Sequence, residues 1–556
     1  MWIYLHTRFL IIFRNCGDSF TQKRTKPTLI LRAFILSLTL VLSASVLHAQ
    51  KGSGDRSGTP YTWSTQASFT GLIPLETLAP IDLGTLLKQD SQTDLLKDKP
   101  YRLATKQRVE YNTNDSGRWI WLTEQNRPTG DRLWLLAIQS PGALNLALVF
   151  DEFVIPEGGR LFIYTEDRTE IIGALTHEDN NKFKSLTTRN LKGDKLVLEY
   201  YEPALSSGVL KLSIRTVAHG YRSLPSLANW SSGAEECQIS TACDLASSLS
   251  TEENGIVRIM VDDATRSCTG VLLNNTGHQD TPYIVTSSSA LMGDPSSFTF
   301  TFQNENYTCN GPASFNGYVV SGAELVEEST SAGLVLLKLL VTPRFEWSTY
   351  YCGWDRSPKV PVDYSCIHHP YGAPKRVALG RQALAYQNWK GQNAIAVDGW
   401  DDGITSPGSL GAPMFNKYGH VVGFFIGGFG SCAENSQDFF IPLSAAWKDF
   451  GEFLDPAELG SSSLQGQSPV SEPVDQRIVE NNISFFPNPA SSFINLKNTN
   501  EEPVLMVKFY NSHGELVSVQ EPDKRQLNVA DLPSGMYVIE LILDSFTLQS
   551  KLFVIH

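Results

Sequence analysis

Seven of the eight cysteines lie between Cys237 and Cys432, and the eighth, Cys16, stands far upstream of them. Cross-links are therefore confined to one window, and everything outside it must fold on apolar packing alone. A chain of 556 residues is too long for one such unit. At roughly 100–200 residues per domain, three or four domains are expected. Hydrophobic residues make up 42% and charged residues 19%, enough apolar material for several cores and too few charges for a mainly disordered chain. Lys plus Arg (45) fall short of Asp plus Glu (58), leaving a net charge of −13. Binding a phosphate backbone needs a basic surface, so nucleic acid is not an expected partner.

Residues 29–47, LILRAFILSLTLVLSASVL, form one long apolar run, broken by Arg32. From Ala33 its unbroken part is about fourteen residues, short of the ~20 of a membrane span and suited to the core of a signal peptide. Lys23, Arg24, Lys26 and Arg32 precede this core, and small residues follow it as far as Ala49. Residues 1–49 thus read as an export signal, with no transmembrane segment left once it is cleaved. Export permits disulfides. Cleavage discards Cys16, so the remaining cysteines are odd in number and one thiol stays unpaired.

Residues 50–228 carry no cysteine. Short apolar runs (LWLLAI, LNLALVF, RLFIYT, KLVLEYY) alternate with the turn signals SPGA, PEGG, THEDNN and LKGD, a pattern that predicts a β-sandwich. Residues 229–455 hold the cysteine window. Residues 456–482 are rich in Ser, Gln and Pro and read as a linker. Strand patterning returns over 483–556, where ISFFPNP, FINLKN, LMVKFYNS and LPSGMYVIELIL predict a small Ig-like sandwich. The expected class is all-β throughout.

Between 237 and 447 the strings CQISTAC, CTGVLLNNTGHQDTPYIVTSSSAL, FTFQNENYTC, GLVLLKL, CGWDRS, IHHPYGAPKRVAL, DDGITSPGSLGAPMFNKYGHVVGFFIGG and DFFIPLSAAW follow one another. In order and spacing they resemble the lysyl endopeptidase branch of the trypsin-like serine proteases. That resemblance implies a double antiparallel β-barrel. Within 117–222, RWIWL, LWLLAIQSPGALNLALVFDEF, GDKLVLEYYEP and AHGYRS resemble the pro-region of such enzymes.

Acyl transfer by this machinery needs a nucleophilic hydroxyl, an imidazole to take its proton and a carboxylate to orient the imidazole. Where the family has histidine in TA-x-HC, this chain reads TSSSA, which puts Ser289 at the histidine and Ala290 at the cysteine. Where the family's aspartate opens D-x-x-LLEL, GLVLLKL puts Gly333. The nucleophile of GSSGSP falls on Leu410 in GSLGAP. No histidine occurs between His278 and His368, and no acidic residue between Glu328 and Glu346, so a shifted alignment restores neither group. Losing the unit costs on the order of 10⁶ in turnover in well-studied hydrolases. His368 and His369 are sequence neighbours without metal-ligand spacing and read as structural. Ser287, Ser288 and Ser289 read as a helix-start cap, and Asp401–Asp402 as a solvated loop. No catalytic residue, metal or cofactor is expected.

Other family features remain. The resemblance implies disulfides Cys237–Cys432 and Cys243–Cys309 and leaves Cys268 without its usual partner. Cys352 and Cys366 depart from the family pattern; they could bridge one another, or either could pair with Cys268. Gly408, Gly411 and Pro413 keep the frame of the oxyanion turn, with the Leu410 isobutyl group expected to fill part of the cleft. Asp438, in DFFIPL, matches the family's lysine-selecting carboxylate and is a candidate lysine pocket. The C-terminal strings yPNPas-like FFPNPASSF, dLpxGxYxv-like DLPSGMYVI and the terminal KLFVIH resemble the type A sorting domain of type IX secretion. This implies a Bacteroidetes-type exporter as a partner and a destination outside the cell. The whole reads as a secreted or surface-bound pseudoprotease for an unidentified peptide or protein ligand. The rivals are a hydrolase with an unrecognised nucleophile and a purely structural surface protein.

Overall fold

The structure, a computed structural model, describes residues 48–50, 58–64, 73–124, 127–206, 208–222, 237–277, 280–306, 308–309, 317–343, 347–435, 437–469, 483–486, 490–498, 504–511, 516–520, 526–543 and 547–554. The signal run and the second half of the expected linker lie outside these residues.

The N-terminal region forms two facing antiparallel sheets. One runs in the order Glu170–Leu175, Arg160–Thr165, Lys195–Glu202, Arg127–Gln139, with Leu75–Thr77 added in parallel at its edge. The other runs Leu186–Thr187, Asn145–Val154, Lys211–Gly220, Ala104–Asn112. Alternate residues of the inner strands meet between the sheets: Trp134, Leu136 and Ile138 pack with Leu148, Phe150, Leu198 and Ile214. The opposite face of the first sheet is covered too, since Leu133, Leu135 and Leu122 pack with Tyr61 and Ile73. Two covered faces explain why LWLLAI is continuously apolar rather than alternating.

The cysteine window builds two barrels. The first follows Val319–Ser321, Thr299–Thr301, Ile256–Val261, Arg266–Leu273, Tyr283–Ser287, Leu334–Leu339, Ala323–Ser329. The second follows Ile239–Ser240, Arg376–Gly380, Tyr364–His368, Pro413–Asn416, Val421–Gly428, Asp438–Pro442, Gln392–Val397, Ala385–Trp389. The helix Leu443–Leu454 closes the domain, burying Leu443, Ala446, Phe450 and Leu454 on one stripe against both barrels.

The linker expected from 456 does not begin there. Ser463–Leu464 pairs with Trp354–Asp355, Gln467 bridges to Tyr351, and Asn274 Nδ2 donates to Gln465 O at 2.8 Å. Residues 456–469 are mostly polar because they lie on the surface of the barrel, held by these hydrogen bonds and by Leu464, which packs on the core beneath. Over 483–554, a three-stranded and a four-stranded sheet enclose Ile494, Val507, Phe509, Leu527, Ile539 and Leu552 as a separate small sandwich.

Disulfides join Cys237 to Cys432 and Cys243 to Cys309. The expected Cys352–Cys366 bridge is absent, as is either bridge to Cys268: all three thiols are free and buried. Cys268, Cys352 and Cys366 pack into three different apolar clusters, so the spacing of 352 and 366 in sequence brings no sulfur pair together. Burial alone pushes the Cys268 thiol up to about 12, the state of an inert thiol.

Candidate functional site

The three positions that the resemblance aligns with the family's triad, Ser289, Gly333 and Leu410, lie in or beside the first barrel. Ser289 sits in the short turn Ser288–Ala290 that follows the strand Tyr283–Ser287. Ser287 Oγ caps that turn by accepting the Ser289 N–H at 3.3 Å, and the Ser289 side chain is exposed. Ser288 N–H in turn donates to Gly333 O at 2.8 Å, so the positions of the histidine and the aspartate are neighbours. Gly333 has a φ of 66°, and a Cβ there would meet Gln392 Nε2 at 2.9 Å. Gln392 therefore takes the space an aspartate would need. Leu410 differs from expectation. It is fully buried in the first barrel's apolar cluster with Cys268 and Ala290, and does not stand in an open cleft.

Around Leu410 the turn is sewn in place. Thr269 N–H donates to Leu410 O at 2.9 Å, and Thr269 Oγ1 to Gly408 O at 2.9 Å. Gly408 has a φ of 98°, and any Cβ would strike His369 O and Tyr371 N. Ser409 Oγ is hydrogen-bonded to His368 Nδ1 at 2.7 Å and accepts the Ser406 N–H at 2.9 Å. His369 Nδ1 donates to Ala373 O at 2.7 Å. Both imidazoles are fully buried, and burial holds His368 at about 3 and His369 well below its ordinary range. They brace the turn as neutral groups. Among the described residues no group of three or more His, Cys, Asp and Glu side chains is placed to hold a metal.

Asp438 opens the strand Asp438–Pro442 and is fully buried. Its Oδ2 accepts hydrogen bonds from Trp400 Nε1 at 2.8 Å and Thr405 Oγ1 at 2.6 Å. Its Oδ1 accepts from an ammonium that sequence reading had not singled out: Lys97 Nζ, at 2.7 Å. Lys97 comes from the N-terminal domain and is only 3% exposed. Its ammonium also donates to Gly430 O and Thr405 Oγ1, both at 2.9 Å, and approaches Thr405 O at 3.3 Å. Each proton of the ammonium thus has an acceptor, which is what a desolvated ion pair requires. The pocket at Asp438 holds a lysine, and the lysine is the chain's own.

The strap that delivers Lys97 is anchored at both ends. The helix Leu83–Thr93, capped by Asp82, carries Asp90, which is fully buried. Asp90 accepts from Arg102 Nε at 2.6 Å and Tyr221 OH at 2.6 Å and pairs with Arg222 at 2.9 Å. Arg222 also pairs with Asp94 at 2.9 Å and lies over the Tyr101 ring at 4.6 Å. Beyond Lys97, Asp98 pairs with Lys390. Tyr101–Arg102 then adds to the first barrel opposite Arg266 and Ser267. No motif marks Lys97 within DLLKDKPYR, where Lys99 has the same chemistry, and 341 positions separate it from Asp438.

Residues 231–441 match the family described as "Lysyl endopeptidase, C-terminal domain", and residues 484–555 that described as "Secretion system C-terminal sorting domain". The chain is 26% identical over 293 residues to a lysyl endopeptidase of Pseudomonas aeruginosa, which covers 48% of this chain. It spans 62% of the length of that curated relative. Among solved structures, an HtrA-type protease with a tripeptide aligns at 14% identity and a TM-score of 0.27, covering 56% of this chain and 96% of that one. A mutant protein from M. tuberculosis in its inactive form aligns at 16% and 0.26, covering 38% and 91%. The chain is lysyl endopeptidase-like, with a sorting tail that directs it through type IX secretion to the cell surface or beyond.

Proposed function

We propose that this chain is a catalytically silent trypsin-like scaffold that binds peptide or protein through a lysine-accepting pocket at Asp438. The observation that carries the loss of catalysis is the content of the triad positions. Ser289 has no imidazole, Gly333 no carboxylate, and Leu410 no hydroxyl and no exposure. The observation that carries binding is the pocket chemistry, in which a buried carboxylate, a hydroxyl and a carbonyl already satisfy an ammonium in three directions.

A hydrolase with another nucleophile finds one point of support, the hydrogen bond from Ser409 to His368. Both groups are fully buried, and an imidazole held at about 3 is a poor base near neutrality. Incubating concentrated protein with a serine-reactive fluorophosphonate and with lysine-containing peptides separates the readings. Silence in both assays is expected; labelling that disappears in Ser409→Ala would establish the hydrolase instead. The purely structural reading is answered by Asp438→Ala, which must reduce binding of lysine peptides if the pocket is a binding site.

A further inference from the structure

We propose that the Lys97 strap is a built-in ligand that closes the lysine pocket in cis, and that the pocket's external ligand is a peptide segment with lysine followed directly by an acidic residue. The inference rests on the pocket reading above and specifies its ligand.

The strap is a mould of what the site accepts. Lys97 fills the pocket, and the next position, Asp98, faces the ammonium of Lys390 on the second barrel. The position after the lysine is therefore electropositive and favours a carboxylate. On the other side the main chain of the strap runs against Gly427, where a Cβ would fall 3.1 Å from Leu96 O and 3.0 Å from Asp98 Cβ. A glycine there lets the strap lie close against the second barrel on both sides of the lysine. Leu95 is 69% exposed and Lys99 is exposed, so the strap runs along the surface and dips in at Lys97 and Pro100. Between the helix that carries Asp90 and the strand Tyr101–Arg102, residues 95–99 are not part of a sheet, so their lifting would break no strand pairing of either barrel. A tethered occupant lowers the apparent affinity for an external one by the fraction of time the pocket stands open.

The test uses the exported chain, residues 50–556, and a fluorescent peptide of the strap sequence, Leu-Leu-Lys-Asp-Lys-Pro-Tyr. Lys97→Ala should bind it at least about tenfold more tightly than the wild type. A version with Lys-Lys in place of Lys-Asp should bind Lys97→Ala about two- to fivefold more weakly, and Lys390→Glu should reverse that preference. Arg222→Ala loosens the strap and leaves the pocket intact, so it must shift affinity in the same direction as Lys97→Ala. Equal peptide affinity across wild type, Lys97→Ala and Arg222→Ala overturns closure in cis. Indifference to the residue after lysine overturns the ligand assignment. Thermal melts with n-butylammonium, which replaces the missing side chain, separate this proposal from the pocket itself. Stabilisation of Lys97→Ala, absent in Lys97→Ala/Asp438→Asn, keeps the pocket even where the peptide fails to bind. Failure of both ligands removes the pocket reading as well.

Discussion

Lys97 and Asp438 would each be an uncompensated charge in an apolar interior without the other. Breaking such a pair from one side costs about 3–5 kcal/mol, whereas replacing both partners with neutral groups of similar size costs far less. Asp438→Asn is therefore expected to lower unfolding free energy by about 3–5 kcal/mol, with Lys97→Met/Asp438→Asn recovering at least half of the loss. Urea melts of the cycle decide this, and strictly additive losses would contradict it. A second residue-scale expectation concerns His368. Burial, with repulsion from Lys97 and Arg376, holds the folded imidazole at about 3, against an ordinary value of 6.5. The unfolded chain binds the extra proton between those values, so this contribution is whole above pH 6.5 and lost as pH falls toward 3. Its slope reaches at most about 1.4 kcal/mol per pH unit. Between pH 7 and 5, wild type should lose more stability than His368→Gln; equal losses would show that His368 titrates normally when folded.

At the scale of elements, the positions aligned with the family's triad take part in local packing. Leu410 belongs to the first barrel's core and Gly333 to a turn that needs positive φ. Gly333→Ala should cost about 1–2 kcal/mol through its left-handed backbone alone. Leu410→Ser should destabilise by about 2–5 kcal/mol and still give no fluorophosphonate labelling, because no base stands beside it. Labelling of that single variant would show that a proton acceptor has been overlooked. The motif flanks around these positions were legible because backbone conformation is written locally, in glycines and prolines such as Gly408, Gly411 and Pro413. Where the Leu410 side chain goes was not legible, since that depends on residues distant in sequence, such as Cys268 and Ala290, that form the same apolar cluster. The same reason defeated the Cys352–Cys366 bridge: fourteen positions of spacing say nothing about which apolar cluster each side chain enters. DTNB should find no reactive thiol in the native chain between Cys237 and Cys432, and three in denaturant, from Cys268, Cys352 and Cys366.

For the whole molecule, the N-terminal sandwich is bound to the first barrel by strand pairing at Tyr101–Arg102 and by ion pairs from Lys106, Arg108 and Arg215 to Asp262 and Asp263. It reaches the second through Lys97. Proteolysis within 223–236 is thus expected to give two fragments that co-elute on gel filtration, even at about 1 M salt, where exposed pairs are screened and the buried one is not. Separation of the fragments in low salt would show that the strap does not hold them. Adding Asp438→Asn should weaken this association. The sequence by itself determined the all-β class and the sorting tail, because strand periodicity, turn residues and motif identity are properties of near neighbours in the chain. Only the tertiary structure decided that the lysine pocket is occupied, and by which lysine. A buried charge selects its partner by distance and desolvation in space, and no local pattern distinguishes Lys97 from the other lysines of a soluble surface.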